Sequence, residues 1–162
     1  MENDIYVCFA YCVPISSAVL QRDHMPDDLF EDLNSKLARY EQRGDLILMG
    51  DLNSRTANLE DFFENDSNEY MPVTNIYLDT EYTFVRNSLD EKVNGYGRKF
   101  LDMCRSLPLR ILNGRKVGDL LGNFTCLNSR GRSVVDYCAS SPAKSRFFQL
   151  AIYYQYIRII AQ

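Results

Sequence analysis

The sequence predicts an α/β protein made of one domain of ordinary size. Three observations support this fold class: an apolar, β-prone run at residues 5–13, an amphipathic stretch at residues 26–43, and a second apolar run at residues 46–49. Strand, helix and strand at this spacing are typical of layered α/β folds. Of the 162 residues, 46% are hydrophobic and 25% are charged, which is the balance of an ordinary globular protein.

The first strand is predicted over residues 5–13, IYVCFAYCV, and ends before Pro14. Because the run is nearly all apolar and rich in aromatic and β-branched residues, it indicates a strand buried on both faces. The first helix is predicted to begin at Pro26 and to end before Gly44. Its apolar residues recur at spacings of three and four, namely Leu29, Phe30, Leu33, Leu37 and Tyr40.

The second strand, residues 46–49, is followed by a polar and acidic stretch over residues 54–94. A loop of that length in a compact domain is usually functional or disordered. The pattern then predicts a second helix over Gly95–Ser106, with a short strand and turn over residues 109–114.

Two more β-prone runs, residues 124–127 and 133–138, are joined by a five-residue connection that contains Gly131. Glycine accepts the positive φ that tight turns need, so this stretch predicts a β-hairpin.

Charge is distributed unevenly along the chain. Residues 1–85 carry 17 acidic and 5 basic side chains, whereas residues 86–162 carry 5 acidic and 13 basic ones. A basic half could face phosphates while the acidic half holds a metal or lies in solvent. The alternative is that unlike charges simply cover different surfaces, and the sequence leaves both interpretations open.

The five cysteines are scattered, and the single histidine, His24, is near none of them. This spacing does not fit a zinc site and predicts reduced thiols, with no disulfide-linked partner. The start of the chain lacks the pattern of a signal peptide, and no window resembles a membrane span. We therefore expect a soluble, intracellular protein, cytoplasmic or nuclear and not secreted, with no membrane partner.

The most informative motif is Gly-Asp-Leu-Asn at residues 50–53, directly after the second strand. In layered α/β folds, ligands bind at the carboxyl ends of strands. The Asp51 carboxylate could orient or deprotonate a water there, and the Asn53 amide could donate to a phosphoryl oxygen. The alternative is a strand end capped by an Asp/Asn turn, which is common.

Two further residues, Tyr11 and Asp136, admit both a functional and a structural interpretation. Tyr11 follows the first strand and could contact a phosphate or fill the core. Asp136 lies in a β-prone run, where Asp is disfavoured, so it needs a specific partner. That partner could be catalytic, or it could be the backbone or Arg132.

Four motifs occur in a characteristic order: Tyr11 within FAYCVP, the GDLN motif, NGYGRKFLDMC followed by LRILNG, and FTCLNSRGRSVVDY. Together they resemble the endonuclease/exonuclease/phosphatase family, and most closely the endonuclease domain of LINE-type (non-LTR) retrotransposons. The resemblance runs from about residue 5 to residue 141. It implies a four-layer α/β sandwich of the DNase I-like type, incomplete here, and Mg²⁺-dependent cleavage of phosphodiester or phosphomonoester bonds.

The resemblance also assigns roles to individual residues. Asp51 matches the family's water-activating Asp, and Asn53 matches the Asn that stabilises the phosphate in the transition state. Tyr11 matches a Tyr that contacts the phosphate, and Asp136 matches the Asp that orients a catalytic His. Two further residues are implied near the substrate cleft, Asn113 and Thr125.

The chain also departs from the family pattern. The family has an Asn and a metal-binding Glu on strands well upstream of the Tyr, and Glu2 and Asn3 are too close to Tyr11 to replace them. The sequence around Tyr11 reads Tyr-Cys-Val-Pro instead of Tyr-x-Pro-Asn, and the late Ser-Asp-His is missing. We therefore expect a partial domain over residues 1–146, truncated at both ends, with a divergent apolar tail over residues 147–162.

The expected function is that of a partial endonuclease domain that acts on DNA and is inactive as an isolated chain, because its metal site is incomplete. Two alternatives stay open: a phosphatase of small or lipid phosphates on the same fold, and a non-catalytic binding module. An isoelectric point near 5.0 is unfavourable for non-specific DNA binding.

Overall fold

The computed structural model describes residues 4–14, 17, 29–63, 85–116, 118–129 and 131–141. They form a mixed α/β structure with one four-stranded and one two-stranded sheet, which confirms the predicted α/β class. The strands are β1 Asp4–Phe9, β2 Gly44–Asp51, β3 Arg110–Ile111, β4 Cys126–Asn128, β5 Gly131–Ser133 and β6 Asp136–Ser140, and the helices are α1 Leu29–Glu41 and α2 Gly95–Ser106.

The four-stranded sheet has the order β1-β2-β6-β3. Strands β1 and β2 are parallel, whereas β6 runs antiparallel to both of its neighbours. The carboxyl ends of β1 and β2 therefore lie beside the amino end of β6. We call this end of the sheet, where Asp51 and Asp136 are partners, the site end.

One face of the large sheet is covered by the two helices. Helix α1 packs against β2 and against α2, and Phe100 of α2 contacts Tyr137 of β6 with ring centroids 5.0 Å apart. Burial of apolar side chains on this face is the main stabilising contribution to the fold. The core residues of this face include Phe30, Leu37, Leu46, Leu48, Ile111 and Ala139.

The prediction that the first strand is buried on both faces is wrong. Tyr6 and Cys8 of β1 pack against the core, but Ile5 and Val7 are each 50% exposed and Phe9 is 76% exposed. Successive side chains of a strand point to opposite faces, so the exposed residues share the face away from the helices. Apolar composition predicted a strand here, but β1 ends at Phe9 and not before Pro14, and composition could not show what covers each face.

The helix predictions agree with the structure to different degrees. Helix α1, Leu29–Glu41, lies inside the predicted range, and residues 26–28 are outside the described part of the chain. Helix α2 has the predicted bounds, because the Asn94 side chain accepts a hydrogen bond of 2.7 Å from the Gly97 N–H and caps the amino end.

The predicted hairpin is only partly correct. Strands β4 and β5 form it, with Cys126 opposite Ser133. The end of the second predicted run, however, lies in β6 of the large sheet, where Cys138 pairs with Met49. The two Val residues between β5 and β6 carry the chain from one sheet to the other.

Several other predictions fall partly or wholly outside the described residues. These include the tail over residues 147–162, the domain boundary before it, His24 and most of the acidic stretch. At the two ends of that stretch, Thr56 and Val93 form an isolated antiparallel bridge. In the ranges that the structure describes, no helix is long and apolar enough to cross a membrane. The five cysteines are free thiols.

Candidate functional site

Asp51 and Asp136 face each other at the site end. Asp51 is the last residue of β2, Asp136 is the first residue of β6, and the two are direct partners in the antiparallel pairing. Residues in this relationship have Cβ atoms about 4.5–5.5 Å apart and project from the same face of the sheet. Both are partly exposed. The structure thus brings two of the predicted site residues together at a position that solvent can reach.

Gly50 brings β1 and β2 close together immediately before Asp51. Its φ is 140°, and a Cβ at this position would lie 2.0 Å from the Ala10 carbonyl oxygen. Only glycine tolerates both the backbone conformation and the contact. The first residue of the Gly-Asp-Leu-Asn motif is therefore needed for strand packing.

Asn53 is held in a tight turn after β2. Its φ is 47°, a left-handed conformation in which Asn is one of the few tolerated residues. Its backbone N–H donates to Oδ1 of Asp51 at 3.0 Å, and its side-chain Nδ2 donates to the Cys12 carbonyl at 2.8 Å. These bonds fix the side chain between the ends of β1 and β2, and they support the Asp/Asn-turn interpretation of the motif.

Tyr11 lies next to Asp51. Hydrogen bonds from Ala10 N–H to the Met49 carbonyl and from Cys12 N–H to the Asp51 carbonyl, at 2.9 and 2.8 Å, continue the β1–β2 pairing past the end of β1. Alternation along the strand places Tyr11 on the same face as Phe9. Tyr11 is 66% exposed, so it does not fill the core.

Asn113 and Thr125 hold the amino end of β6. The Asn113 side chain accepts from the Cys138 N–H at 2.9 Å and donates to the Asp136 carbonyl at 3.2 Å. Oγ1 of Thr125 accepts from the N–H groups of Val135 and Asp136, both at 3.0 Å. The polar atoms of both side chains thus position the backbone of Asp136.

Asn94, which was not among the site residues predicted from the sequence, organises the loop after β2. In addition to capping α2, its Oδ1 accepts from the Arg55 N–H at 2.9 Å, and its Nδ2 donates to the Asn53 carbonyl at 2.9 Å. An Asn directly before a predicted helix is a recognised capping signal. The signal predicts the cap, but it does not reveal the contact with Asn53, which is 41 residues away.

Asp90 and Arg55 form a second support for the site end. Arg55 donates through Nε and Nη2 to the two carboxylate oxygens of Asp90, at 2.8 and 2.6 Å, and the Val134 N–H donates to Oδ2 at 3.1 Å. Burial by itself would raise the pKa of Asp90, but the Arg55 hydrogen bonds and charge hold that pKa below its ordinary value. The ion pair ties the loop after β2 to the segment before β6.

Cys12 is the thiol nearest to this group of residues. Burial, together with the smaller effect of the negative charge of Asp51, raises the pKa of Cys12 to about 11. A thiol with such a pKa stays protonated at neutral pH, whereas cysteine nucleophiles act as thiolates. The Cys12 side chain is therefore a small buried group, and the backbone carbonyl of Cys12 anchors Asn53.

Asp51 and Asp136 carry carboxylate oxygens, which are ligands of the type that Mg²⁺ accepts. Mg²⁺ is usually bound by one or two protein carboxylates together with waters and substrate phosphates. In the described ranges no group of three or more His, Cys, Asp or Glu side chains is close enough to hold a metal ion. Asp51 and Asp136 are thus two acceptors of the right type, but they do not by themselves make a resident metal centre.

Comparisons with known proteins gave no match. No protein-family profile fits the chain, and neither the characterised proteins nor the solved structures include a significant relative.

Proposed function

We propose that the chain is part of a phosphodiesterase domain of the endonuclease/exonuclease/phosphatase type, closest to the endonucleases of LINE-type retrotransposons. One observation carries the proposal: Asp51 and Asp136, separated by 85 positions, are cross-strand partners at an exposed end of the sheet. Two like charges in this relationship are unfavourable to folding. A site that uses both carboxylates gives a reason for placing them there.

The residues of the chain supply part of the chemistry of phosphodiester cleavage. The Asp51 carboxylate can orient a water and accept its proton. Asn53 uses one side-chain N–H on the Cys12 carbonyl, and an amide has a second N–H that can donate to a phosphoryl oxygen. The exposed Tyr11 hydroxyl can reach the same ligand. The Asp136 carboxylate would orient an imidazole, as the resemblance implies.

We expect no efficient turnover from the isolated chain. A bound Mg²⁺ would supply several kcal/mol of charge stabilisation in the transition state, and each loss of about 1.36 kcal/mol slows a reaction tenfold. A general acid or base is worth roughly 10² to 10⁴ in rate. The chain supplies too few metal ligands among its described residues, and the resemblance implies a His that its late segment lacks.

DNA is the substrate that the resemblance implies, and the basic second half of the chain is compatible with it although the isoelectric point of the whole chain is near 5.0. The basic residues are concentrated after residue 85, and four of them are exposed on the described surface, namely Lys92, Arg98, Lys99 and Arg132. Phosphate backbones bind such surfaces in a salt-dependent way. The proposed fold is a DNase I-like sandwich, in which a further layer would cover the exposed apolar face of β1. The proposed location is intracellular.

The proposal is tested with the isolated chain, supercoiled plasmid and a small phosphomonoester, each with and without Mg²⁺. We expect no nicking and no phosphate release, and Asp51→Asn is expected to change neither result. Salt-dependent DNA binding without turnover would favour the binding module. Phosphate release from the monoester that Asp51→Asn abolishes would replace the proposal with the phosphatase, and robust nicking that Asp51→Asn abolishes would contradict the inactive state.

A further inference from the structure

An apolar stripe on β1 is open to solvent. It consists of Ile5, Val7 and Phe9, which are 50%, 50% and 76% exposed and lie on the face away from the helices. We call these three residues the β1 stripe. Contiguous apolar surface of this kind marks an interaction site in most proteins.

The same strand is also an edge of the large sheet. Among the residues that the structure describes, β1 pairs with β2 alone, so the other side of β1 has no described strand as a partner. Natural edge strands are commonly protected by Lys, Pro or a bulge. β1, with the sequence DIYVCF, has no Lys and no Pro, and its pairing with β2 runs without interruption from Asp4 to Phe9. Within the described part of the chain, nothing pairs with the outer edge of β1, and one of its faces is exposed.

The described chain ends close to this strand. Ser141 follows β6, its N–H donates to the Leu46 carbonyl at 2.9 Å, and its Oγ accepts from the Leu46 N–H at 2.8 Å. Leu46 is in turn the register partner of Tyr6 on β1. Two strand spacings, roughly 10 Å, therefore separate Ser141 from β1. Residues 142–162 can span roughly 70 Å when extended, which is several times that distance.

The end of the chain has the composition that such a surface would bind. Residues 147–162 read FFQLAIYYQYIRIIAQ, with one charged residue, Arg158. Ile, Tyr and Phe are the residues that fit a pleated, half-buried surface best. A segment tethered this close has an effective concentration near the millimolar range, which favours it over a second copy of the chain.

We propose that residues 147–162 bind the β1 stripe within the same molecule and shield it from water. The segment would then complete the structure on the side that the helices leave open. This inference concerns the packing of the chain and is independent of any catalytic activity.

The chain has no Trp, so one introduced Trp reports on one position. The test compares acrylamide quenching of Phe9→Trp with that of Phe63→Trp, both in the full chain. Phe63 is a matched control because it is 77% exposed, is not part of the β1 stripe, and has its ring centroid 5.3 Å from the Arg105 guanidinium carbon of α2. Each Trp variant is also measured with the tail substitutions Ile157→Asp and Ile159→Asp. A third variant, Ile5→Trp, repeats the measurement at the other end of the β1 stripe.

We expect the Trp at position 9 to be quenched several-fold less than the Trp at position 63, and the two Asp substitutions to remove that difference. Equal quenching of the Trp at position 9 and the Trp at position 63, measured with the tail unsubstituted, would overturn the proposal. Shielding that persists with the substituted tail would also overturn it, and a mass that rises with protein concentration would then identify a second copy as the occupant.

Discussion

Asp51 and Asp136 are direct partners across β2 and β6, so the site end of the sheet holds two carboxylates side by side. Neutral groups bond to both residues: Asn113 and Thr125 bond to the backbone at Asp136, and the Asn53 N–H donates to the Asp51 carboxylate. The backbone of Asp136 is therefore held in place by contacts that do not involve its carboxylate.

Removing one of these charges should stabilise the fold. We expect Asp136→Asn to raise the free energy of unfolding by about 0.2–1 kcal/mol at neutral pH, because like charges on opposed strands destabilise by that amount. The contacts of Asn113 and Thr125 with the Asp136 backbone do not involve the substituted carboxylate. Urea unfolding at low and high salt measures the effect, which salt should reduce. A clear loss of stability would show instead that the carboxylate has a stabilising partner.

Asn53 should contribute through both its backbone conformation and its side chain. Asn53→Ala places a Cβ-bearing residue without a local hydrogen bond at φ 47° and removes the bond to Cys12. The unfavourable backbone conformation should cost about 1–2 kcal/mol of unfolding free energy, and the lost hydrogen bond about 0.5–1.5 kcal/mol. Asn53→Gly is the matched control, because glycine accepts the conformation and loses only the bond. Equal destabilisation by both variants in urea unfolding would contradict this assignment.

Gly50 should be intolerant of a side chain because of the contact with β1. Gly50→Ala is compared with Gly131→Ala, since the two glycines have similar φ values of 140° and 131°. A Cβ at Gly131 meets nothing within 4 Å, whereas one at Gly50 meets the Ala10 carbonyl oxygen at 2.0 Å. In thermal unfolding, Gly131→Ala should lower the stability only by the cost of the backbone conformation, and Gly50→Ala should lower it distinctly more. Similar losses would mean that the strand contact contributes little.

The buried ion pair between Asp61 and Arg115 should make the fold sensitive to acid. Arg115 donates through Nη1 and Nη2 to the two oxygens of Asp61 at 2.6 and 2.7 Å, and Asp61 is 0% exposed. Burial by itself would raise the pKa of Asp61, but the Arg115 hydrogen bonds and charge hold it below its ordinary value of 3.8. The stabilisation is then complete above that ordinary value and is lost as the pH falls through the lower folded value.

Asp61→Asn is expected to cost about 3–5 kcal/mol at neutral pH, because it leaves a buried guanidinium without its counter-charge. The free energy of unfolding of this variant should also depend less on pH than that of the original chain when it is measured down to about pH 2. Asp102→Asn is the control, since Asp102 is 71% exposed and its pair with Arg105 should be worth less than about 1 kcal/mol. An unchanged pH dependence in Asp61→Asn would assign acid sensitivity to other groups.

Local signals in the sequence predicted the helices and the Gly-Asp-Leu-Asn turn. Helix α2 has the predicted bounds because its cap and its apolar spacing are both local. Asn53 lies in the Asp/Asn turn that the sequence left open as the alternative to a site. Features that depend on distant partners were not predictable in the same way. The exposed face of β1 depends on what packs against it, and Asp61 meets Arg115 across 54 positions.

The pairing of Asp136 shows the same limit within the candidate site. The run that contains it was correctly predicted as β-prone, but its pairing with β2 instead of β4 depends on the whole sheet. The roles of Asn113 and Thr125 in holding β6 also depend on that pairing. The types of the site residues could be proposed from the sequence, but their hydrogen-bond partners could not.

We propose that the site end, with Asp51 in the water-activating position, is part of a phosphodiesterase site. The most direct measurement is plasmid nicking by a fusion in which the upstream strands and the Ser-Asp-His segment of a complete family domain are joined to this chain. The account predicts Mg²⁺-dependent nicking that Asp51→Asn reduces at least about 10²-fold and that the exposed control Asp102→Asn leaves unchanged. A folded fusion that does not nick, or that nicks equally well with Asp51→Asn, would contradict it.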